Sequence, residues 1–230
     1  MLYLNCRCYF CQQRLSIPSH GICSFCLAYL PPLPLCCPRC GLPAGSEREI
    51  CGRCRLEPPP WQHLVAVGDY QNPLKQILIK LKFQRQTQFK LMLSRLFLLR
   101  WLEQRRSQLL PKPDVLISVP LYKRRRWQRG FNQTELLAEP LSQWINCFWS
   151  PSLLNRTRST RPQQRLSASA RRNNLFDAFL LNGSVNGLNV AVLDDVITTG
   201  STLAEISRLL MHNGAKTVQA WCICRTLLVE

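Results

Sequence analysis

The sequence predicts an α/β protein: a doubly wound, mostly parallel sheet preceded by a small cysteine-rich domain. Three observations carry that expectation. After Trp61, short apolar runs alternate with longer amphipathic stretches, the pattern of strands joined by crossover helices. Ten of the thirteen cysteines lie before residue 55, in a segment rich in Pro and Gly with few periodic apolar runs. Between the two compositions, Glu57-Pro58-Pro59-Pro60 reads as a stiff linker. The expected division is 1–60 for the cysteine-rich domain with its linker and 61–230 for the α/β domain.

The elements follow from the local pattern. Residues 64–70 alternate as a strand, and 73–82 and 88–105 have helical spacing. A buried strand is expected over 115–119, then a helix over 132–145, kinked or broken at Pro140. A short strand over 153–155, a polar stretch over 156–172 and a strand over 176–181 follow. Residues 188–193 form the strongest apolar strand, 202–213 a helix and 217–224 a last strand.

The cysteines fall into knuckles. Cys8-x-x-Cys11 with Cys23-x-x-Cys26 makes one set of four, and Cys37-x-x-Cys40 with Cys51-x-x-Cys54 a second. Two intervening residues let both thiolates of a knuckle reach one tetrahedral ion. Two sets in tandem predict a double zinc ribbon whose two Zn²⁺ ions stand in for a missing apolar core. Four thiolates saturate each ion, so both sites are structural. Thiolate ligation fits zinc best and iron next. Disulfides are the competing reading in an oxidising compartment. Cys6 and Cys36 are spare by this count. Cys147, Cys222 and Cys224 read as buried small hydrophobes, and His20 as a substitute ligand.

Composition sets limits. An apolar fraction of 46% is that of a folded protein. The formal charge of +17 favours phosphate-bearing partners, although each Zn²⁺ bound by four thiolates lowers it by about two. Residues 91–102 are the most apolar stretch but carry Arg95 and Arg100 and are too short to cross a bilayer. No signal peptide is legible before the first knuckle. The expectation is a cytoplasmic protein with no membrane insertion.

The chemistry concentrates at 190–202. An apolar strand ends in Asp194 and Asp195, followed by Val196 and Ile197, then Thr198, Thr199, Gly200, Ser201 and Thr202 at the start of a helix. Ligands of open α/β sheets sit at the carboxyl ends of strands. Gly200 admits a phosphate close to the backbone, the hydroxyls donate, and the helix amino terminus favours an anion. Two carboxylates suit the vicinal hydroxyls of a ribose and a Mg²⁺ ion. A capped strand–loop–helix without ligand is the bland alternative, but adjacent acids without a partner repel each other.

That string resembles the PRPP-binding motif of type I phosphoribosyltransferases. The whole chain resembles the ComF/GntX family, closest to its enterobacterial GntX branch, in which a double zinc ribbon precedes such a domain. Val119-Pro120-Leu121, Arg129-Gly130-Phe131-Asn132-Gln133, Leu81-Lys82-Phe83 and the stretch 160–173 fit as well. The resemblance implies the type I phosphoribosyltransferase fold and a role in uptake of DNA or its use as a nutrient. By resemblance, Asp194 and Asp195 contact the ribose hydroxyls of PRPP or a related ribose phosphate, and residues 198–202 its 5′-phosphate. Lys123, Arg124 and Arg129 are diphosphate-loop candidates. Arg161, Gln163 and Arg171 belong to the stretch that matches a closing flexible loop.

Three functional classes stand, the blandest a sensor that binds a nucleotide and regulates something else. An enzyme would bind Mg²⁺–PRPP and pass its ribose to an acceptor, for which no pocket and no general base are legible. A binding module would hold single-stranded DNA or a protein of the DNA-uptake machinery. The basic runs at 123–129 and 156–172, with Trp127 and Phe131 interleaved in the first, suit either a diphosphate or single strands. Taken alone, Trp127 reads as a packing residue.

Overall fold

A computed structural model of the chain describes residues 7–17, 20–31, 33–46, 49–157 and 178–226; the side chains of Lys123 and Arg124 lie outside that description. The cysteine-rich region carries two one-turn helices, α1 (Ser24–Ala28) and α2 (Gly52–Leu56). The α/β part runs β1 (His63–Asp69), α3 (Leu74–Phe83), α4 (Phe89–Gln108), β2 (Val115–Ser118), α5 (Lys123–Arg129), α6 (Gln133–Ile145) and β3 (Phe148–Trp149). It continues with β4 (Leu154–Arg156), β5 (Phe179–Leu181), β6 (Asn189–Ile197), α7 (Ser201–His212) and β7 (Thr217–Arg225).

Five strands form one sheet in the order β1-β7-β6-β2-β3, every pair parallel. β4 and β5 pair antiparallel in a separate ribbon. Helices cover both faces, so the central strands read as continuous apolar runs. Side chains alternate between two cores. Ala191, Leu193, Trp221 and Ile223 face α3, α4 and α6 with Leu78, Phe97 and Leu141. Val190, Val192, Ala220 and Cys222 face α7 with Leu203, Ile206 and Leu210. Burying each of the larger side chains is worth roughly 1.5–3 kcal/mol.

The structure departs from the sequence-based expectation in several places, among them the unanticipated edge strand β3. Helix α6 is not broken at Pro140. Asn132 caps it by accepting from the Thr134 N–H at 3.2 Å, and Leu137, Ala138, Leu141 and Ile145 are buried on both sides of the proline, which outweighs one lost backbone hydrogen bond. Strand β6 continues through the diacid to Ile197, because β7 pairs with it as far as Ile197↔Arg225. Residues 123–129, read as loop, form α5, closed by Gly130 at φ +80°. Trp127 does not pack: it is 86% exposed on the outer face of α5. Residues 176 and 177 of one expected strand lie outside the described residues; its remainder is β5.

The cysteine-rich region is fastened to the α/β part at two points. Cys8 and Ile22 are fully buried in the core beside α4, and the Tyr9 ring meets Phe89 edge-on at 4.8 Å. The second set leans on the sheet edge, where the Leu64 N–H donates to Pro38 at 2.8 Å and the Trp61 indole N–H to the Arg39 carbonyl at 2.7 Å. No described helix is long and apolar enough to cross a membrane.

Candidate functional site

The site is built at the carboxyl end of β6. Successive strand residues project to opposite sides, so Asp194 and Asp195 diverge. Asp194 lines a cleft of about 20 Å³ with Thr198, Gly200, Ser201 and Thr202, roughly the room one water needs. Asp195 is buried and ion-paired with Lys82 from the last turn of α3. The turn at 198–200 is short. Gly200 sits at φ +73°, in the left-handed region that glycine enters without strain. The Thr199 and Ser201 hydroxyls are 2.7 Å apart. Helix α7 then begins, with the Ser201 N–H donating to Thr199 Oγ1 at 3.4 Å and the positive end of the helix at the turn.

Electrostatics tie the pieces together. Burial pushes the Asp194 carboxyl up to about 6, against the pull of Lys82 and Arg156. Burial likewise brings Lys82 down to about 8, opposed by Asp194 and helped by Arg129. The Arg129 guanidinium lies 5.0 Å over the Phe83 ring and donates to Gln133 Oε1 at 2.9 Å. Arg156, on β4, acts electrostatically on Asp194, with its guanidinium 5.5 Å over Phe179. Asp194 thus lies beside a helix amino terminus within the field of Lys82 and Arg156, while Asp195 pairs with Lys82 and Arg129 lies near that lysine.

Of the residues anticipated from sequence, Asp194, Thr198, Gly200, Ser201 and Thr202 line one cleft, with Thr199 in the turn beside it, and Arg129 lies near Lys82. Lys123 and Arg124 open α5, a position known from the backbone. Arg161, Gln163 and Arg171 lie outside the described residues. From sequence, Lys82 stands out only within the Leu81-Lys82-Phe83 match and Arg156 only within the basic run at 156–172, neither as a site residue. Their signal was weak: one basic residue in an amphipathic helix and one in a polar stretch, each brought to β6 by tertiary packing.

The cysteines gather as their spacing requires. Cys8, Cys11, Cys23 and Cys26 form one cluster and Cys37, Cys40, Cys51 and Cys54 the other, with the sulfurs of each within 4.8 Å of one another. Cys11 and Cys23 Sγ are 3.7 Å apart, as are Cys40 and Cys51 Sγ. A Zn–S bond of about 2.3 Å gives a tetrahedral edge of about 3.8 Å, so both clusters fit structural zinc. The Cys23 and Cys51 N–H groups donate to Cys8 and Cys37 Sγ, each at 3.4 Å. Burial raises the Cys8 thiol, yet backbone N–H groups outweigh it and bring it to about 6, whereas burial and the neighbouring sulfurs push Cys26 and Cys54 up. His20 belongs to neither cluster.

No family model matches the chain. It is 48% identical over 227 residues to the DNA utilization protein YhgH of Salmonella typhi, covering 99% of this chain and 100% of that one. It is 39% identical over 228 residues to Competence protein F of Haemophilus influenzae, covering 98% and 99%. Among solved structures, a purine phosphoribosyltransferase from Pyrococcus horikoshii is similar over 64% of this chain and 80% of that one, at 17% identity and a TM-score of 0.36.

Proposed function

The chain belongs to the family of the DNA utilization protein YhgH and Competence protein F, and from that premise we propose that it binds PRPP or a related ribose phosphate at the diacid turn, in the service of DNA uptake or use. The observation that carries the reading is the meeting of Asp194, the 198–200 turn and the amino terminus of α7 in one cleft, with Lys82 behind it.

In this reading the ribose hydroxyls donate to the carboxylates. The 5′-phosphate takes the N–H and hydroxyl donors of 199–202. Lys82, Arg129 and Arg156 face the diphosphate and leave Asp195 less tightly held. The carboxylates also suit Mg²⁺, which would supply charge neutralisation on the diphosphate when bound. The position is cytoplasmic in this proposal.

Calorimetric titration of Mg²⁺–PRPP tests it. Wild type should bind, and Asp194→Asn should bind at least tenfold more weakly while keeping the wild-type circular dichroism spectrum. A folded, metal-loaded wild type that takes up no PRPP would sink the reading.

A second reading has an observation of its own. Trp127 is exposed beside Arg125 and Arg126 on α5, as a base-stacking platform for single-stranded DNA would be. On that reading the protein acts as an accessory factor that hands DNA to a partner of the uptake machinery.

A further inference from the structure

Of the two acids near the end of β6, one faces the cleft and the other does not. Asp194 lines the cleft with Thr198 and Ser201. Asp195 turns to the opposite side of the strand, where α3 packs. Its Oδ1 accepts the Val196 N–H at 2.9 Å. Its Oδ2 meets the Lys82 ammonium and has no other partner among the described residues. The two side chains are 15% and 7% exposed, so neither charge can fall back on water if the pair opens.

The lysine can change partner without the fold moving. It sits in the last turn of α3, a helix anchored by the fully buried Leu78 and Leu81. Its ammonium is a compact charge with three donors on a flexible four-carbon stem. Asp194 and Arg129 both act on it electrostatically, so it stands between the acids and the basic flank at Arg129. An anion arriving on that flank could replace Asp195 as its partner. Taking away one member of a buried pair strands the other. Lys82 therefore leaves Asp195 only for a ligand that brings an anion to the lysine and hydrogen-bond donors to the acid together. A ribose carrying a diphosphate does both. A ribose with a single phosphate, held at the turn, supplies the donors alone.

We infer that the Lys82–Asp195 pair is a latch that makes the site selective for a diphosphate-bearing ribose. Lys82 is the specificity-determining residue, held by Asp195 in the free protein and passed to the diphosphate on binding. The assignment to a ribose rests on the function proposed above. The exchange of one anion for another at Lys82 does not.

Zinc-loaded protein is titrated calorimetrically with Mg²⁺–PRPP, ribose 5-phosphate, inorganic pyrophosphate and inorganic phosphate. In Lys82→Met, PRPP affinity should fall at least tenfold while that of ribose 5-phosphate holds or rises, because Asp195 is no longer occupied. A merely structural pair would weaken both ligands together. Asp195→Asn keeps the shape of the side chain and releases Lys82. It should bind pyrophosphate at least tenfold more tightly than wild type does, and inorganic phosphate within threefold of wild type. Should neither variant fold, the Lys82 ammonium resonance of wild type serves instead, and it should move with pyrophosphate and not with phosphate. Equal weakening of PRPP and ribose 5-phosphate in folded Lys82→Met, unchanged pyrophosphate affinity in folded Asp195→Asn, an equal gain for inorganic phosphate, or an unmoved resonance would overturn the latch. PRPP failing to bind wild type while pyrophosphate gains in Asp195→Asn would sink the ribose phosphate reading and leave the latch standing.

Discussion

At the scale of single residues, the Lys82–Asp195 pair is the most exacting contact of the site. Both groups are largely withdrawn from water, and removing one partner strands the other. Lys82→Ala should therefore destabilise the protein by about 3–5 kcal/mol, measured by urea unfolding. Replacing both, as Lys82→Met with Asp195→Leu, should recover most of that loss while PRPP binding stays absent, which separates the structural from the functional role. Asp194 gives a pH signature. Its carboxyl is raised from 3.8 to about 6 in the folded protein, so its contribution favours folding at low pH and is lost as pH rises through about 6. The stability gap between Asp194→Asn and wild type should thus widen in favour of the asparagine from about pH 4 through 6 and level off above it. A gap that is flat with pH would show that the carboxyl is not held in an enclosed site. Gly200 is the third such residue. A Cβ there would sit 2.9 Å from the Trp61 ring at φ +73°, so Gly200→Ala should cost at least about 1–2 kcal/mol and displace the indole, read as a shift in tryptophan emission.

At the scale of elements, the two cysteine ribbons are not equivalent. The first contributes Cys8 and Ile22 to the core beneath α4, while the second is bound to the edge strand β1 and to Trp61. Cys23→Ser should therefore lower the melting temperature of the whole molecule more than Cys51→Ser does. Cys51→Ser should instead loosen Trp61 from the turn and weaken PRPP binding with the sheet intact by circular dichroism. Equal melting temperatures for the two variants would contradict this division. Helix α6 carries a similar lesson: its proline was legible and its continuity was not, because the compensating burial comes from α4 and the sheet rather than from neighbours in sequence.

At the scale of the whole molecule, charge dominates. A formal +17 is spread over a chain whose ion pairs among the described residues number few and include exposed ones, so much of it is uncompensated. If α5 is a DNA surface, affinity for a single-stranded oligonucleotide should fall steeply between about 50 and 200 mM salt. Trp127→Ala should then weaken binding by about 1–3 kcal/mol. A salt-insensitive affinity, or a Trp127 variant that binds as wild type does, would remove DNA from the account and leave the ribose phosphate.

What could be read without a structure was what repeats or clusters locally. Knuckle spacing named the eight cysteines of the two clusters, because two thiolates three residues apart are already neighbours in a tight turn. Apolar runs named the strands, because a strand covered on both faces must be apolar throughout. The diacid turn was legible as a contiguous string. What only the tertiary structure decided joins residues far apart in the chain: Lys82 on Asp195, Arg156 near Asp194, and Trp61 against Gly200. No periodicity marks such partners. A lysine on an amphipathic helix or a tryptophan after a proline run acquires its meaning when strand order brings distant segments to the same end of the sheet.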